Sequence, residues 1–365
     1  MQKIRLGIIG GGYMGKAHAI AAHSVSAVME LDTAVELGGI AAGSPQSATR
    51  YAAMYKAPRS FDSAQALIES DKIDAVVIAS PQNTHLEFVK LCAAAGKPVM
   101  CEKPMGRTLA EAQAIAAAAK PVVNLVAYNY INTPASAYAR KLIADGAIGE
   151  ITWFRGEHNE DFMVEPLDSW RLYGDANGTL GDLAPHVIQC ALAFCGPIDS
   201  LVADIKCRPE SRRQSKSSNS NDDQIQFMCQ FSSGANGFIS SSRVAHGRKM
   251  GYAYEIHGTE GTIRFDQEDQ NCLWLYLRDN GPNAGFQRIL AGPDHGDYRF
   301  FCQGPAHGTG YQDQIIIEQA NFIRAILGQQ PAWPSFNDGA EVMHVVEAVR
   351  DSHKQSGWVS LSEQR

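Results

Sequence analysis

No stretch of this chain approaches the roughly 18 consecutive apolar residues that a membrane-spanning helix needs. The apolar run at its start, IRLGII, breaks at glycines within a few residues. A signal peptide needs a longer apolar region and a small-residue cleavage site, so this run reads as a strand. Positive charge is also scarce. Lys and Arg number 32 against 39 Asp and Glu, a formal net charge of −7, whereas nucleic-acid binders normally carry a basic face. The eight cysteines contain no CxxC pair and no Cys/His cluster at zinc spacing. Cys190 and Cys195 lie inside the apolar run HVIQCALAFC, where a thiol behaves as a small hydrophobe. These absences predict a reduced, cytoplasmic chain with no structural metal, no nucleic-acid partner and no membrane segment.

What is present describes a globular protein. Hydrophobic residues make up 45% and charged residues 19% of 365 positions, a length that fits two domains of about 100–200 residues each. Up to residue 127 the sequence alternates apolar strand runs (4–9, 34–41, 75–79, 98–101 and 122–127) with helical patterns at 13–27, 45–55, 86–95 and 109–119. Strands separated by helices of this length indicate βαβ units and a parallel sheet. Their continuous apolar character suits a sheet covered on both faces. Beyond residue 128 the texture changes to a helix at 135–145, a strand at 150–156 and alternating runs joined by SSG, GTEG and DNG turns, which suggest a largely antiparallel sheet. Two helices (313–327 and 338–355) and a last strand at 358–361 follow. The expected fold is a doubly wound α/β domain over residues 1–124, then an α+β domain over 125–365 with a large, mostly antiparallel open sheet. The polar stretch 209–223 (PESRRQSKSSNSNDD) reads as a solvated loop.

Gly10-Gly11-Gly12-Tyr13-Met14-Gly15 contains G-x-G-x-x-G. A bare match is weak, but this one follows the first strand and opens a helix, which is the context of a dinucleotide-binding Rossmann fold. Gly10 permits the tight turn, Gly12 lets the backbone approach a pyrophosphate, and Gly15 allows close helix–strand packing. Tyr13 and Met14 begin the helix, whose N-terminal N–H groups would face the phosphates. A carboxylate for the ribose hydroxyls of NAD is expected at the end of the second strand, yet that strand ends Gly39-Ile40-Ala41-Ala42-Gly43-Ser44 with no acid. Ser44 is the polar group there. The cofactor is NAD or NADP, and the lack of a basic residue between Ala42 and Gln46 favours NAD.

Three further stretches make the pattern specific. Ala79-Ser80-Pro81-Gln82-Asn83-Thr84-His85 follows the strongest strand, Cys101-Glu102-Lys103-Pro104 a later one, and Gly181-Asp182-Leu183-Ala184-Pro185-His186 comes in the second domain. With the glycine loop, in this order, they resemble the glucose–fructose oxidoreductase/inositol dehydrogenase/MocA (Gfo/Idh/MocA) family. The resemblance covers nearly the whole chain, including AYNYINTP at 127–134, DGAIGEI at 145–151 and the Trp170-Arg171 pair. It implies a Rossmann domain followed by a domain whose sheet often mediates homodimers or homotetramers. It also implies a catalytic set of Lys103, Asp182 and His186, with Asn83, His85 and Glu102 towards the nicotinamide end and Ser80, Pro81 and Lys103 among the cofactor-binding residues. The missing acid near Ala42 departs from the family pattern and leaves cofactor preference open.

The chemistry of these residue types fits alcohol oxidation. A secondary alcohol must lose its O–H proton as the C–H hydride leaves, and a histidine suits that proton transfer. A lysine ammonium stabilises developing alkoxide. Asp182 and His186, four apart, share one helix face, with Asp182 at the helix start holding substrate or orienting the imidazole. Asn129, Tyr130, Asn159 and Arg171 offer hydrogen bonds to several adjacent hydroxyls. Taken singly, each has a plainer explanation: Asp182 as an N-cap, His186 as a satisfied core histidine, Lys103 as a surface residue. The reading is therefore an oxidoreductase that moves a hydride between nicotinamide and a CH–OH carbon of a sugar, anhydrosugar or cyclic polyol. The alternatives are an NAD-dependent glycoside hydrolase that oxidises a sugar transiently, and a nonenzymatic cofactor-sensing regulator, against which the retention of Lys103, Asp182 and His186 argues.

Overall fold

The structure, a computed structural model, describes residues 3–165, 170–208, 221–278 and 281–361. They divide into two compact units, one of residues 1–132 with 309–341 and the other of 133–308 with 342–365. The first therefore takes back a segment distant in sequence.

In the first unit six strands form a parallel sheet: β1 (Lys3–Ile9), β2 (Ala34–Ala41), β3 (Ser60–Phe61), β4 (Ala75–Ile78), β5 (Val99–Glu102) and β6 (Asn124–Ala127), in the order β3-β2-β1-β4-β5-β6. Reversal of direction at β1 is the doubly wound topology, and ligands bind such sheets outside the carboxyl ends of the strands. The continuous apolar runs are explained by burial: every residue of β4 is inaccessible. Helices α1 (Tyr13–Val28), α2 (Pro45–Met54), α3 (Ala64–Glu69), α4 (His85–Ala94) and α5 (Leu109–Ala118) connect them.

The second unit is built on nine strands. It opens with α6 (Pro134–Ala144) and β7 (Ile151–Asn159), then α7 (Thr179–Asp182) and α8 (Ala184–Cys195). Strands β8 (Ile198–Lys206), β9 (Gln224–Phe231), β10 (Asn236–Ser242), β11 (Gly251–Gly258), β12 (Gly261–Asp266), β13 (Cys272–Leu277) and β14 (Gln287–Leu290) follow. After α9 (Tyr311–Ile326), which belongs to the first unit, and α10 (Phe336–Gln355), β15 (Val359–Ser360) closes the order β14-β13-β12-β11-β7-β10-β9-β8-β15. All neighbours are antiparallel except β7 and β10. Alternate burial along β9 shows one face packed and one open.

Besides the two-residue β3, two strands of the second unit escape the sequence reading. β8 carries the pattern IDSLVADIK with only Ile198 and Leu201 buried, and β14 (QRIL) has no buried residue at all, so neither shows the apolar alternation that marks a strand. Strand β7 runs on to Asn159 because it pairs on both sides, Asn159 standing opposite both Ser242 and Gly251. Seven of the eight cysteines are buried, Cys207 being the exposed one. Burial pushes Cys92, Cys190 and Cys229 up to about 12, which makes them packing groups and poor nucleophiles. Among the described residues no helix is long and apolar enough to cross a membrane, and no group of three His, Cys, Asp or Glu could hold a metal ion.

Candidate active site

The glycine loop divides its labour among its glycines. Gly10 has φ +109°, and a Cβ there would fall 2.4 Å from the Ala79 carbonyl oxygen. A Cβ on Gly15 would meet the Gly10 carbonyl oxygen at 2.1 Å. These two are glycine because backbone passes backbone. Gly12 differs, since a Cβ there would meet nothing within 4 Å. It is the N-cap of α1, whose first turn contains no acidic side chain, so the free N–H groups and the positive end of the helix dipole face open space. A dinucleotide's pyrophosphate fits that cradle. Two tyrosines, Tyr51 in α2 and Tyr55 just beyond it, not singled out in the sequence reading, brace the loop. Tyr55 donates its hydroxyl to Gly11 O at 2.7 Å, and the Tyr51 ring lies where a Gly11 side chain would be. Tyr13 is 71% exposed, and its ring stands 6.2 Å from Tyr311, which is 6.2 Å from Tyr130. Met14 accepts a weak bond from the Tyr311 hydroxyl.

At the end of β2, Ser44 caps α2 by accepting the Ser47 N–H at 3.2 Å. After β4, the Ser80 hydroxyl pairs with Thr84 at 2.6 Å, Pro81 is extended, and Asn83 lies in the turn before α4. His85 is almost wholly buried, with Nδ1 3.0 Å from Met105 O and Nε2 2.9 Å from Ser80 O. It bridges the chain segments that follow β4 and β5. Burial pushes this imidazole below its ordinary pKa against the pull of the two carbonyls. Glu102 ends β5, buried, and accepts from the Lys103 N–H at 3.2 Å. Lys103 follows, half-buried, at the carboxyl edge of the sheet. Asn129 is buried and donates to Gln314 at 3.2 Å, and Tyr130 beside it is nearly buried.

In the second unit, Asp182 and His186 do not share one unbroken helix with Asp182 at its start. Asp182 is the last residue of the one-turn helix α7, and α8 begins at Ala184. The cause is Pro185, which has no N–H for the next helical bond. Leu183 keeps right-handed helical dihedrals, so the four-residue spacing still places both side chains on one side. Arg171 Nε stands 3.6 Å from Asp182 Oδ2. Gly156 lets α8 lie directly on β7, because a Cβ there would fall 2.5 Å from Val187.

Strand alternation decides which β7 residue reaches His186. Phe154, Gly156 and His158 point to the buried face, while Asn159 falls on the other and donates to Glu157 at 3.1 Å. The structure therefore brings His158 to His186, edge-on with ring centroids 5.5 Å apart, and does not bring Asn159. His158 carried no sequence signal, because it lies beyond the strand expected at 150–156. Arg243 carried no sequence signal either. It is buried, pairs with buried Asp223 at 3.0 Å, and donates to Arg171 O at 2.8 Å, Asn177 O at 3.0 Å and Asn221 Oδ1 at 2.6 Å. Asn221 and Asp223 end the stretch expected to be solvated, yet they are buried because they pin the segment carrying Arg171. Residues 209–220 of that stretch lie outside the described residues.

Residues 4–130 match the oxidoreductase family with an NAD-binding Rossmann fold, and residues 136–264 match the GFO/IDH/MocA C-terminal domain. The chain is 34% identical to levoglucosan dehydrogenase of Pseudarthrobacter phenanthrenivorans over 99% of both sequences. It is 26% identical to inositol 2-dehydrogenase of Rhizobium meliloti over 98% of this chain and 99% of that protein. Its fold superposes on levoglucosan dehydrogenase solved in complex with NADH and levoglucosan with a TM-score of 0.94 at 35% identity, covering 99% of this chain and 100% of the other. The chain belongs to the Gfo/Idh/MocA family of oxidoreductases. It is an enzyme of that family with an NAD-binding Rossmann fold.

Proposed function

We propose that this enzyme oxidises a CH–OH carbon of a sugar, anhydrosugar or cyclic polyol with NAD. The observation that carries this reading is the group of Arg171, Asp182 and His186, two charged side chains and an imidazole on one short stretch of the second unit. When bound, the nicotinamide supplies the hydride acceptor. His186 takes the hydroxyl proton as general base, in the role where imidazole works best near neutral pH. The Lys103 ammonium stabilises the developing alkoxide. Asp182 holds a neighbouring hydroxyl or orients the imidazole, and Arg171, Asn129 and Tyr130 supply further hydrogen-bond donors for a polyhydroxylated ring. The names of the relatives, levoglucosan and inositol dehydrogenases, support that substrate class. NAD is favoured over NADP because no basic residue lies between Ala42 and Gln46 and Ser44 is already engaged as a cap. The open face of the nine-stranded sheet, where Met228 is 53% exposed, is the proposed homodimer or homotetramer surface.

The test is a screen of sugars, anhydrosugars and polyols, levoglucosan and myo-inositol among them, for reduced-nicotinamide absorbance with each cofactor. Substrate-dependent NADH formation is expected. Free reducing sugar released from a glycoside without net NADH would replace this reading with the hydrolase, and no turnover of any substrate would remove both.

A further inference from the structure

One buried polar cluster in the first unit, built on Glu102, takes no step in the chemistry above. His18 lies on α1, inaccessible, one turn beyond Gly15. Its Nε2 stands 2.9 Å from Glu102 Oε1, and the other oxygen of Glu102 accepts the Lys103 N–H at 3.2 Å. A carboxylate oxygen accepts, so Nε2 carries the proton of this bond. The carboxylate is thus held at both ends, by the helix that begins at the glycine loop and by the peptide of Lys103. Helix α9 fixes the same spot from its other side. Gln312 donates to Ala17 O at 2.9 Å and Gln319 to His18 O at 3.3 Å, both from side-chain amides. Between them Glu318 is 1% exposed, and neither of its oxygens has a hydrogen-bond partner among the described residues. Burial, and after it the proximity of Glu102, keeps the Glu318 proton on well above the usual carboxylate range. Buried polar groups are normally hydrogen-bonded, and the Glu102 carboxylate is the partner of His18 Nε2, while Nδ1 has none among the described residues.

We propose that His18 is a positioning residue for Lys103, acting through Glu102: it sets the Lys103 peptide in register with the helix that holds the pyrophosphate. This rests on the assignment of Lys103 to the reacting alcohol. An ammonium misplaced by about 1 Å loses on the order of a hundredfold in rate.

The test compares His18→Phe, which removes the bond, with His18→Gln, whose amide can stand where Nε2 does. Turnover, NADH affinity by calorimetry, and the acylation rate of the Lys103 amine read by mass spectrometry are measured on the full chain. In His18→Phe we expect kcat to fall about ten- to a hundredfold and Lys103 acylation to change, while NADH affinity stays near wild type. His18→Gln should restore both. If His18→Phe does not fold, His18→Asn, too short to reach Glu102, reads the same loss. Wild-type turnover and Lys103 reactivity in the variant that lacks the bond would overturn the proposal, provided Lys103→Met is inactive. An active Lys103→Met would instead overturn the role given to Lys103, and the acylation rates would still report on positioning.

Discussion

His158 meets His186 edge-on, ring centroids 5.5 Å apart and planes at 65°, while its own nitrogens hold Leu183 O at 2.9 Å and Glu160 Oε1 at 3.0 Å. It therefore grips the residue that joins α7 to α8, between Asp182 and His186. His158→Phe keeps a ring in that space but loses both hydrogen bonds. We expect kcat to fall by about tenfold or more with NADH affinity unchanged, measured by steady-state kinetics and calorimetry.

The glycines of the loop predict two different failures. Gly12→Val puts a Cβ where no atom lies within 4 Å, so the cofactor-free protein should lose no more than the cost of a poorer N-cap, about 1 kcal/mol. NADH binding should nevertheless vanish. Gly15→Ala places its Cβ 2.1 Å from a carbonyl oxygen and should lower stability itself, by about 1–3 kcal/mol. Thermal melts and calorimetry on both variants check the pair. Wild-type affinity in Gly12→Val would sink the pyrophosphate assignment.

Lys103 and His186 are assigned to one proton transfer. His186→Ala should cost about 10²–10⁴-fold in turnover, and Lys103→Met at least as much if alkoxide stabilisation dominates. Their effects should not add in the double variant. Additive losses would mean that the two act on separate steps.

Glu318 makes stability depend on pH with a definite sign. Its folded carboxyl is held above the ordinary value of 4.5 by burial. Below that value the folded and unfolded chains are both protonated. As pH rises past it, the unfolded chain releases a proton that the folded chain keeps, so stability falls. Glu318→Gln, which resembles the neutral acid in shape, removes this penalty. The variant should melt higher than wild type at pH 7, and the difference should disappear below about pH 4. A melting difference that persists in acid would show another origin.

The sequence by itself determined the parallel sheet, because β4 and the carboxyl halves of β1 and β2 are buried on both faces and their residues must be apolar. It also determined the glycine loop, since backbone contacts at Gly10 and Gly15 exclude every side chain. Lys103, Asp182 and His186 were legible as an ordered set of motifs. Only the tertiary structure decided which partners surround them. Strand period turned His158 inward and Asn159 outward, a choice that depends on which face of β7 receives α8. Pro185 moved Asp182 from a helix start to a helix end. His18 meets Glu102 across 84 positions and Arg243 meets Asp223 across 20. Long-range polar pairs of this kind leave no periodic trace in a sequence, because each partner needs only the right chemistry at a place that the fold supplies.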